Sequence, residues 1–500
     1  LSRAWADEVA HFNISAFQIK GNTLLSEAEV EEAVYPYTGP DRTVKDVEAA
    51  RAALQAAYEK HGYSTVSVFI PEQGVATGVI RLEVQPQKIG KLTVRGASNP
   101  AAIRAAAPSM SEGVVPNIHQ VQQDIVILNQ YPERRVTPEF VAGQVPGTLD
   151  VDLKVEEHSP LHATVELNNQ ASPETSGLRA VATVRDDDLW GRGDSVSFTA
   201  QTAPSHTAEG MVYSGNYSFR IDPSLQLLVY GVRSNSHVAV VGGVDVVGAG
   251  DIGGLRVIKT FSPLEGLYQS LTFGFDYKDF QEDTAVGSDR TGAPIKYWPL
   301  NASWRTDWIA DKARSDLTFS ATLGVNGLGD NASQFDFKRY QARPNFSVFH
   351  IDGSTTYTQA SDLQWYAHLT SQWTDDALIS NEQFSLGGTS SVRGYLESEA
   401  LADYGAALQL ELRSPSFARR FGTWANELRV LTFLDGGFGA IHSALAGQDS
   451  HWRLASAGVG TRFRVLKYLN GAVDFAAPLT DGPDEHRGAV LTRFRVWGEF

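Results

Sequence analysis

The residues able to do chemistry in this chain form no catalytic motif. Twelve histidines are present, but no H-E-x-x-H occurs, which argues against a paired-histidine zinc site. There are no cysteines, so thiolate metal sites, disulfides and a cysteine nucleophile are excluded. Gly388-Thr389-Ser390-Ser391-Val392 approaches a hydrolase nucleophile elbow, but the second glycine is missing and no helical pattern follows. Asp186-Asp187-Asp188 lacks the spacing of a calcium loop and reads as a solvated hairpin tip. No glycine loop is shaped to cradle phosphate. The expectation is a protein that is no enzyme, with no catalytic residue, no metal and no cofactor. With 42 Lys+Arg against 58 Asp+Glu the net charge is −16, which argues against a nucleic-acid binder.

Function must then lie in the elements. Ala4-Trp5-Ala6 has the form of a signal-peptidase site, so residues 1–11 are expected to be a signal-peptide remnant and short tail, with Asp7 as the mature start. Residues 12–86 read strand, helix, helix, strand, strand. Ser26 with Glu29, and Thr43 with Asp46, open the helices as capping boxes. Gly62 suits the position just past the second helix, where positive φ costs least. Val66, Val68 and Ile70 alternate, as do Ile80, Leu82 and Val84, with a turn at Gln73-Gly74. The pattern recurs over 87–158. Ile118, Val121, Ile125 and Leu128 line one helical face, and Leu149, Val151, Leu153 and Val155 alternate. Gly21 and Gly96 end corresponding first strands, a period of 96 − 21 = 75 residues. Two β-α-α-β-β units in tandem resemble POTRA domains.

From about residue 160 the helical pattern stops and alternation takes over, as in Leu161, Ala163, Val165 and Leu167. Sixteen strands are expected, starting near 161, 177, 194, 211, 225, 251, 267, 295, 316, 344, 361, 404, 426, 452, 466 and 488. Turns are expected at 190–194, at Asp222-Pro223 and at Asp481-Gly482. The spacing leaves room for the roughly 9–11 residues of a tilted membrane strand plus a connector. Residues 159–500 therefore predict a membrane β-barrel of about 16 antiparallel strands. The last strand places Phe494, Val496, Gly498 and Phe500 on one face. A chain ending this way resembles the C-terminal signal of bacterial outer-membrane proteins, carried by Phe494, Val496 and Phe500.

Val392-Arg393-Gly394-Tyr395 resembles the V-R-G-Y/F tetrad of the superfamily that inserts or translocates proteins at outer membranes. The resemblance implies that it tips a loop, near 381–400, folded back into the barrel. Downstream, Phe433-Leu434-Asp435 resembles that family's F-x-D motif. An arginine inside a barrel needs a carboxylate that its planar fork can grip. Asp435 is the first candidate and Glu411 the second, with Phe433 on the same lumen face. Gly394 lets the tip turn, and Tyr395 packs on the wall.

Two POTRA units before one barrel resemble the transporters of two-partner secretion, the hemolysin/adhesin exporters. Gly62-Tyr63 and the stretch around Pro71 and Gln73 match that branch's first POTRA domain. The resemblance implies a cell outer-membrane location in a Gram-negative bacterium, with the POTRA domains in the periplasm. It implies export of a large unfolded exoprotein, bound by its N-terminal domain. The other implied partners are outer-membrane lipids and, during biogenesis, the barrel-assembly machinery. The alternatives are an assembly factor or insertase, and a passive porin. Members of that branch commonly carry a plug helix ahead of the first POTRA; only Asp7 to His11 precede the first strand here, so none is expected.

Overall fold

The computed structural model describes residues 10–129, 133–173, 175–207, 210–222, 224–235, 238–241, 244–247, 249–261, 264, 266–281, 283–286 and 289–500. Ala4-Trp5-Ala6, Asp7 and Pro223 lie outside them. The chain divides into two units, Leu1–Ser159 and Pro160–Phe500.

The first unit holds two α+β modules. In the first, β1 (Phe12–Ile14) pairs with β3 (Gly39–Arg42), while β2 (Ala16–Lys20), β5 (Val79–Pro86) and β4 (Val66–Phe69) form a sheet in that order, β2 parallel and β4 antiparallel to β5. Helices α1 (Glu27–Val34) and α2 (Val44–Lys60) begin at the Ser26/Glu29 and Thr43/Asp46 boxes. Helix α2 ends in a Schellman motif, in which Gly62 N–H donates to the Glu59 carbonyl at 2.9 Å and Tyr63 N–H to the Tyr58 carbonyl at 2.9 Å. Val30, Val34, Leu54 and Tyr58 bury against Val66, Val68, Leu82 and Val84.

The second module repeats this plan. Strands β6 (Lys88–Arg95), β8 (Thr148–Glu157) and β7 (Arg134–Ala142) form the sheet, β6 again parallel and β7 antiparallel to the middle strand. Helices α3 (Pro100–Ala105) and α4 (Ile118–Leu128) cover it. The period of 75 has a steric basis. Gly21 and Gly96 take φ of 82° and 86°, and a Cβ on them would come 2.3 Å from the Val84 carbonyl oxygen and 2.2 Å from that of Val155. Both press against the middle strand of their sheet, where only glycine fits. One expectation fails: Ile118 is exposed, because the first turn of α4 overhangs the core that Val121 and Leu128 enter.

The capping carboxylates give this unit an acid-sensitive edge. The Ser26 hydroxyl holds Glu29 below the ordinary carboxylate range, and the Thr43 N–H does the same for Asp46. A carboxylate depressed in the folded state stabilises fully above its unfolded pKa and loses that contribution as pH falls through the depressed value. Residues 10–158 are expected to show a lower urea midpoint at pH 3 than at pH 6. The difference should shrink in a Glu29→Gln, Asp46→Asn double variant; an unchanged difference would remove the caps as its source.

The second unit is a closed antiparallel barrel. Its strands are β9 (Leu161–Asn168), β10 (Arg179–Leu189), β11 (Asp194–Thr202), β12 (Val212–Asp222), β13 (Leu225–Ser234), β14 (Gly250–Thr260), β15 (Leu267–Phe280), β16 (Ile295–Tyr297 with Leu300–Ile309), β17 (Ala313–Leu323), β18 (Ser347–Thr358), β19 (Gln364–Trp373), β20 (Tyr404–Arg413), β21 (Ala425–Ala440), β22 (His451–Val465), β23 (Leu469–Pro478) and β24 (Leu491–Glu499). That makes sixteen, β16 being one strand broken at Trp298-Pro299, where proline has no N–H for the ladder. All sixteen expected starts fall within three residues of these. β24 meets β9 to close the ring, with Val496 opposite Leu167 and Gly498 opposite Val165.

Alternate residues point outward to lipid and inward to the lumen. On β20, Leu408 and Leu410 are exposed outward while Gln409 and Glu411 are buried within. Connections at the end where β9 begins are mostly short, such as 190–193 and 466–468, with 414–424 the exception, and the longest lie at the other end, notably 324–346 and 374–403. The Asp186–Asp188 run lies in the last residues of β10 rather than at the hairpin tip, with Asp187 paired to Arg185 at 2.9 Å. Among the described residues no helix is long and apolar enough to span a membrane; the crossing elements are strands.

Candidate functional site

The loop 374–403 runs from β19 to β20 and carries the V-R-G-Y segment. It folds as a hairpin, Phe384–Leu386 against Ala400–Ala402. Gly387 and Gly388, with φ of 108° and 92°, turn the chain where a Cβ would strike Leu396, Glu397 and Glu399. Inside the tip the Ser391 hydroxyl donates to the Gly387 carbonyl at 2.9 Å, and the Thr389 N–H donates to Glu397 at 2.9 Å. Val392 and Tyr395 are buried with Phe384, Leu386 and the wall residues Ala407 and Leu454. The loop therefore has its own small core and docks inside the barrel as a body.

Arg393 anchors it. Its Nε and Nη2 donate to the two Asp435 carboxylate oxygens at 2.7 and 2.8 Å, and its backbone N–H adds a third bond at 3.0 Å. Nη1 donates to Glu411. The guanidinium carbon lies 3.7 Å from the Phe433 ring centroid, within cation–π range. Behind these, Arg413 donates to Glu411 at 2.7 Å, and Arg462 pairs with Asp474 at 2.6 Å. Arg393, Arg413 and Arg462 thus face Asp435, Glu411 and Asp474, and the cluster carries no net charge. Buried charges persist in this way, each paired and hydrogen-bonded.

The other two tetrad positions are equally constrained. Gly394 has φ of 98°, and a Cβ there would lie 3.1 Å from that of Ser456. The Tyr395 hydroxyl lies 2.7 Å from the Thr480 carbonyl and 2.9 Å from that of Ala455. Arg493 on β24 donates to the Tyr395 carbonyl at 2.8 Å.

Sequence reading did not connect Arg493 to this loop. It also missed Arg462 and Asp474, which period-two parity on β22 and β23 puts in the lumen. A further anchor was missed. Asp403, fully buried, accepts from Arg339 at 2.7 and 2.9 Å, from the Gln383 side chain at 2.9 Å and from the His442 N–H at 2.7 Å. Arg339 follows α5 (Ala332–Lys338), in the loop 324–346. Phe335 of α5 packs with Tyr297, Phe346, Leu378 and Ile379 in an apolar cap at the same end of the lumen.

The lumen holds a polar cavity of about 950 Å³. Thr183, Thr199, Gln201 and Asn216 line it on the wall and Thr389, Ser390 and Glu397 on the loop. Among the described residues no group of His, Asp or Glu is placed to hold a metal ion.

The other candidate residues lie elsewhere. Gly62 is the hinge between the two α+β modules: its carbonyl accepts from the Ile118 N–H at 2.8 Å, and Asn117 donates to the His61 carbonyl at 2.8 Å. A Cβ on Gly62 would lie 2.6 Å from Asn117 Oδ1, at a φ of 86°. Gly62→Ala is expected to cost about 1–2 kcal/mol through the left-handed backbone alone, and to separate the modules. Small-angle scattering of residues 10–158 should show a larger radius of gyration, and an unchanged radius would contradict the hinge. Tyr63 is half-buried against the first core. Pro71 is half-buried, and the Gln73 side chain bonds both backbone groups of Arg81 at 2.8 and 2.7 Å, prolonging the β4–β5 ladder. Phe494 and Val496 are half-buried on β24, and Phe500 is exposed beside the ring closure.

The sequence matches two family models. One describes the haemolysin secretion/activation protein ShlB/FhaC/HecB and covers residues 147–463; the other describes the ShlB-type POTRA domain and covers 12–86. The outer membrane transporter CdiB of Escherichia coli is 24% identical over 490 residues, 94% of this chain and 79% of that protein. The heme/hemopexin transporter protein HuxB of Haemophilus influenzae (strain 86-028NP) is 20% identical over 496 residues, 95% of this chain and 86% of that protein. The solved structure of CdiB from Escherichia coli superposes with a TM-score of 0.74 at 20% identity, covering 100% of this chain and 92% of that one. The barrel, the POTRA module and these matches agree, and the chain belongs to the haemolysin secretion/activation family ShlB/FhaC/HecB, outer-membrane transporters of two-partner secretion with their POTRA region in the periplasm.

Proposed function

We propose that this barrel exports one large exoprotein of adhesin or haemolysin type as an unfolded chain, and that the loop bearing Arg393 closes the lumen at rest. One observation carries the reading. The six-residue ion cluster holds a loop, not a wall strand, across a polar-lined interior. A loop can leave while the barrel's backbone ladder stays intact. The reading requires no catalytic residue, metal or nucleotide.

Residues 87–158 act in this reading as a second POTRA domain, by their shared strand order and the matched glycines. The cargo's N-terminal domain adds a strand to an open sheet edge, gaining backbone hydrogen bonds without sequence readout. β7 carries Pro138, which cannot donate. β6 is bonded at Ile89 by Gly113 and Val114. In the first module β4 is bonded at Val66 and Val68 by the Gln55 side chain, which leaves β2 as the freer edge. Lipids of the outer membrane surround the apolar face, and the barrel-assembly machinery reads β24, with Phe494 and Val496, during insertion.

Calorimetry of residues 10–158 against the N-terminal domain of the partner exoprotein is expected to show binding on the order of micromolar, as for a weak, transient interface. Binding by the full chain but not by this fragment would move recognition into the barrel.

A further inference from the structure

The outer wall of the barrel carries a second concave feature. Across β19–β22, at the end where the long loops emerge, a cavity of about 690 Å³ opens on the outward face. Register explains it. Leu369, Leu408 and Gly436 lie opposite one another on three successive strands, and Ala406 faces Phe438, which faces Arg453. In the row beyond, Tyr404 faces Ala440, which faces His451. Leu369, Leu408 and Phe438 stand out from the wall, and at Ala406, Gly436 and Ala440 the surface recedes between them. A Cβ on Gly436 would meet only the Leu454 carbonyl oxygen, at 3.9 Å, so the notch is open and not filled by a neighbour.

The groove is apolar along its length and charged at one end. Arg453 and His451 stand in the first residues of β22, just after the loop 441–450. Arg453 makes no side-chain hydrogen bond or ion pair among the described residues. A guanidinium left free where apolar surface meets the headgroup layer is matched by phosphate, whose oxygens fit its fork.

We infer that this groove seats an acyl chain of an anionic phosphoglycolipid of the outer leaflet, with a headgroup phosphate on Arg453 and His451. The occupant is fixed by three features together. The face lies against lipid. The notch is one side chain deep, which suits a hydrocarbon chain better than a folded protein surface. The only charged end lies at the outer rim, whereas an inner-leaflet lipid would place its headgroup at the opposite end. The inference needs the barrel in its membrane but not the export mechanism, so the two stand or fall separately.

The test uses the purified full-length protein in mild detergent and native mass spectrometry. The probes are a hexa-acylated, doubly phosphorylated glucosamine disaccharide lipid, phosphatidylglycerol and phosphatidylethanolamine. The disaccharide lipid is expected to be retained roughly tenfold more than phosphatidylethanolamine, a difference of about one charge-assisted contact. Gly436→Leu, which fills the notch, and Arg453→Gln should each lower its retention by about tenfold, with the heat-modifiable gel mobility of the folded barrel unchanged. If Gly436→Leu fails to fold, Ala406→Leu fills the same space. Equal retention by the wild type and the filled variant would overturn the site. Phosphatidylethanolamine held as well as the phosphorylated lipid would overturn the role of Arg453. Phosphatidylglycerol held equally well would overturn the outer-leaflet assignment.

Discussion

Arg393→Ala is expected to abolish export while the barrel still inserts. The variant leaves Asp435, Glu411 and Asp474 facing only Arg413 and Arg462, so a neutral cluster gains a net negative charge. Stranding one buried charge costs about 3–5 kcal/mol in a dry site, and less where water enters from the neighbouring cavity. The wall itself keeps its ladder, so gel mobility of the folded barrel should be normal. Arg393→Lys keeps the charge but cannot grip both Asp435 oxygens and Glu411 at once, and should fall between. Exchanging the residues at 393 and 435 would not restore function, because an aspartate at 393 would face Glu411 and Asp474. The pairing is better tested by a cycle of Arg393→Met and Asp435→Asn, whose combined loss of loop stability should be well below the sum of the two. Full export by Arg393→Ala would end the case for this anchor.

Asp403→Ala is expected to loosen three loops together. Its carboxylate collects Arg339 from 324–346, Leu378 and Gln383 from 374–403, and the N–H of His442 from 441–450. Without it the backbone donors of Leu378 and His442 and the Gln383 amide lose their acceptor, at about 1–3 kcal/mol for each group left unsatisfied, and Arg339 loses its carboxylate. The Leu378 and His442 carbonyls still hold Arg339, so the loss falls on loop order and not on the barrel. Planar-bilayer recordings should show higher and noisier conductance, and trypsin should cut near Arg339 and Arg343. A conductance trace and digestion pattern identical to wild type would show that the apolar cap around Phe335 suffices alone.

Which parts of this molecule could be read beforehand follows from how far each signal travels along the chain. Period-two alternation is local, so the sixteen barrel strands were legible, and so was the lumen face that carries Glu411 and Asp435. Capping pairs such as Ser26 with Glu29 span one turn and were equally plain. The Schellman glycine at 62 was legible as a helix end, yet its second task, receiving Asn117 and Ile118 of the next module, was not. Arg339 with Asp403, and Arg493 with Tyr395, join segments whose approach depends on how the loops fold over one another. Neither has a spacing rule. The break at Pro299 was visible as a proline but not as an interruption, since its partner strand β15 runs straight past it.

The position of the anchor along the chain bears on the order of folding. Glu411, Phe433, Asp435, Arg462 and Asp474 lie on β20–β23, the four strands that directly follow the loop. The loop can therefore dock onto a curling, still open sheet, through contacts of short sequence separation that form early. Contacts from the two strands that close the ring come afterwards: Arg493 on β24 to Tyr395, and from the side of β9 Gln170 to Thr389 and the Glu397 N–H to the Ala171 carbonyl. Threading a finished loop through a completed ring is then unnecessary. The last step of assembly, β24 meeting β9, is the one that clamps an already seated loop.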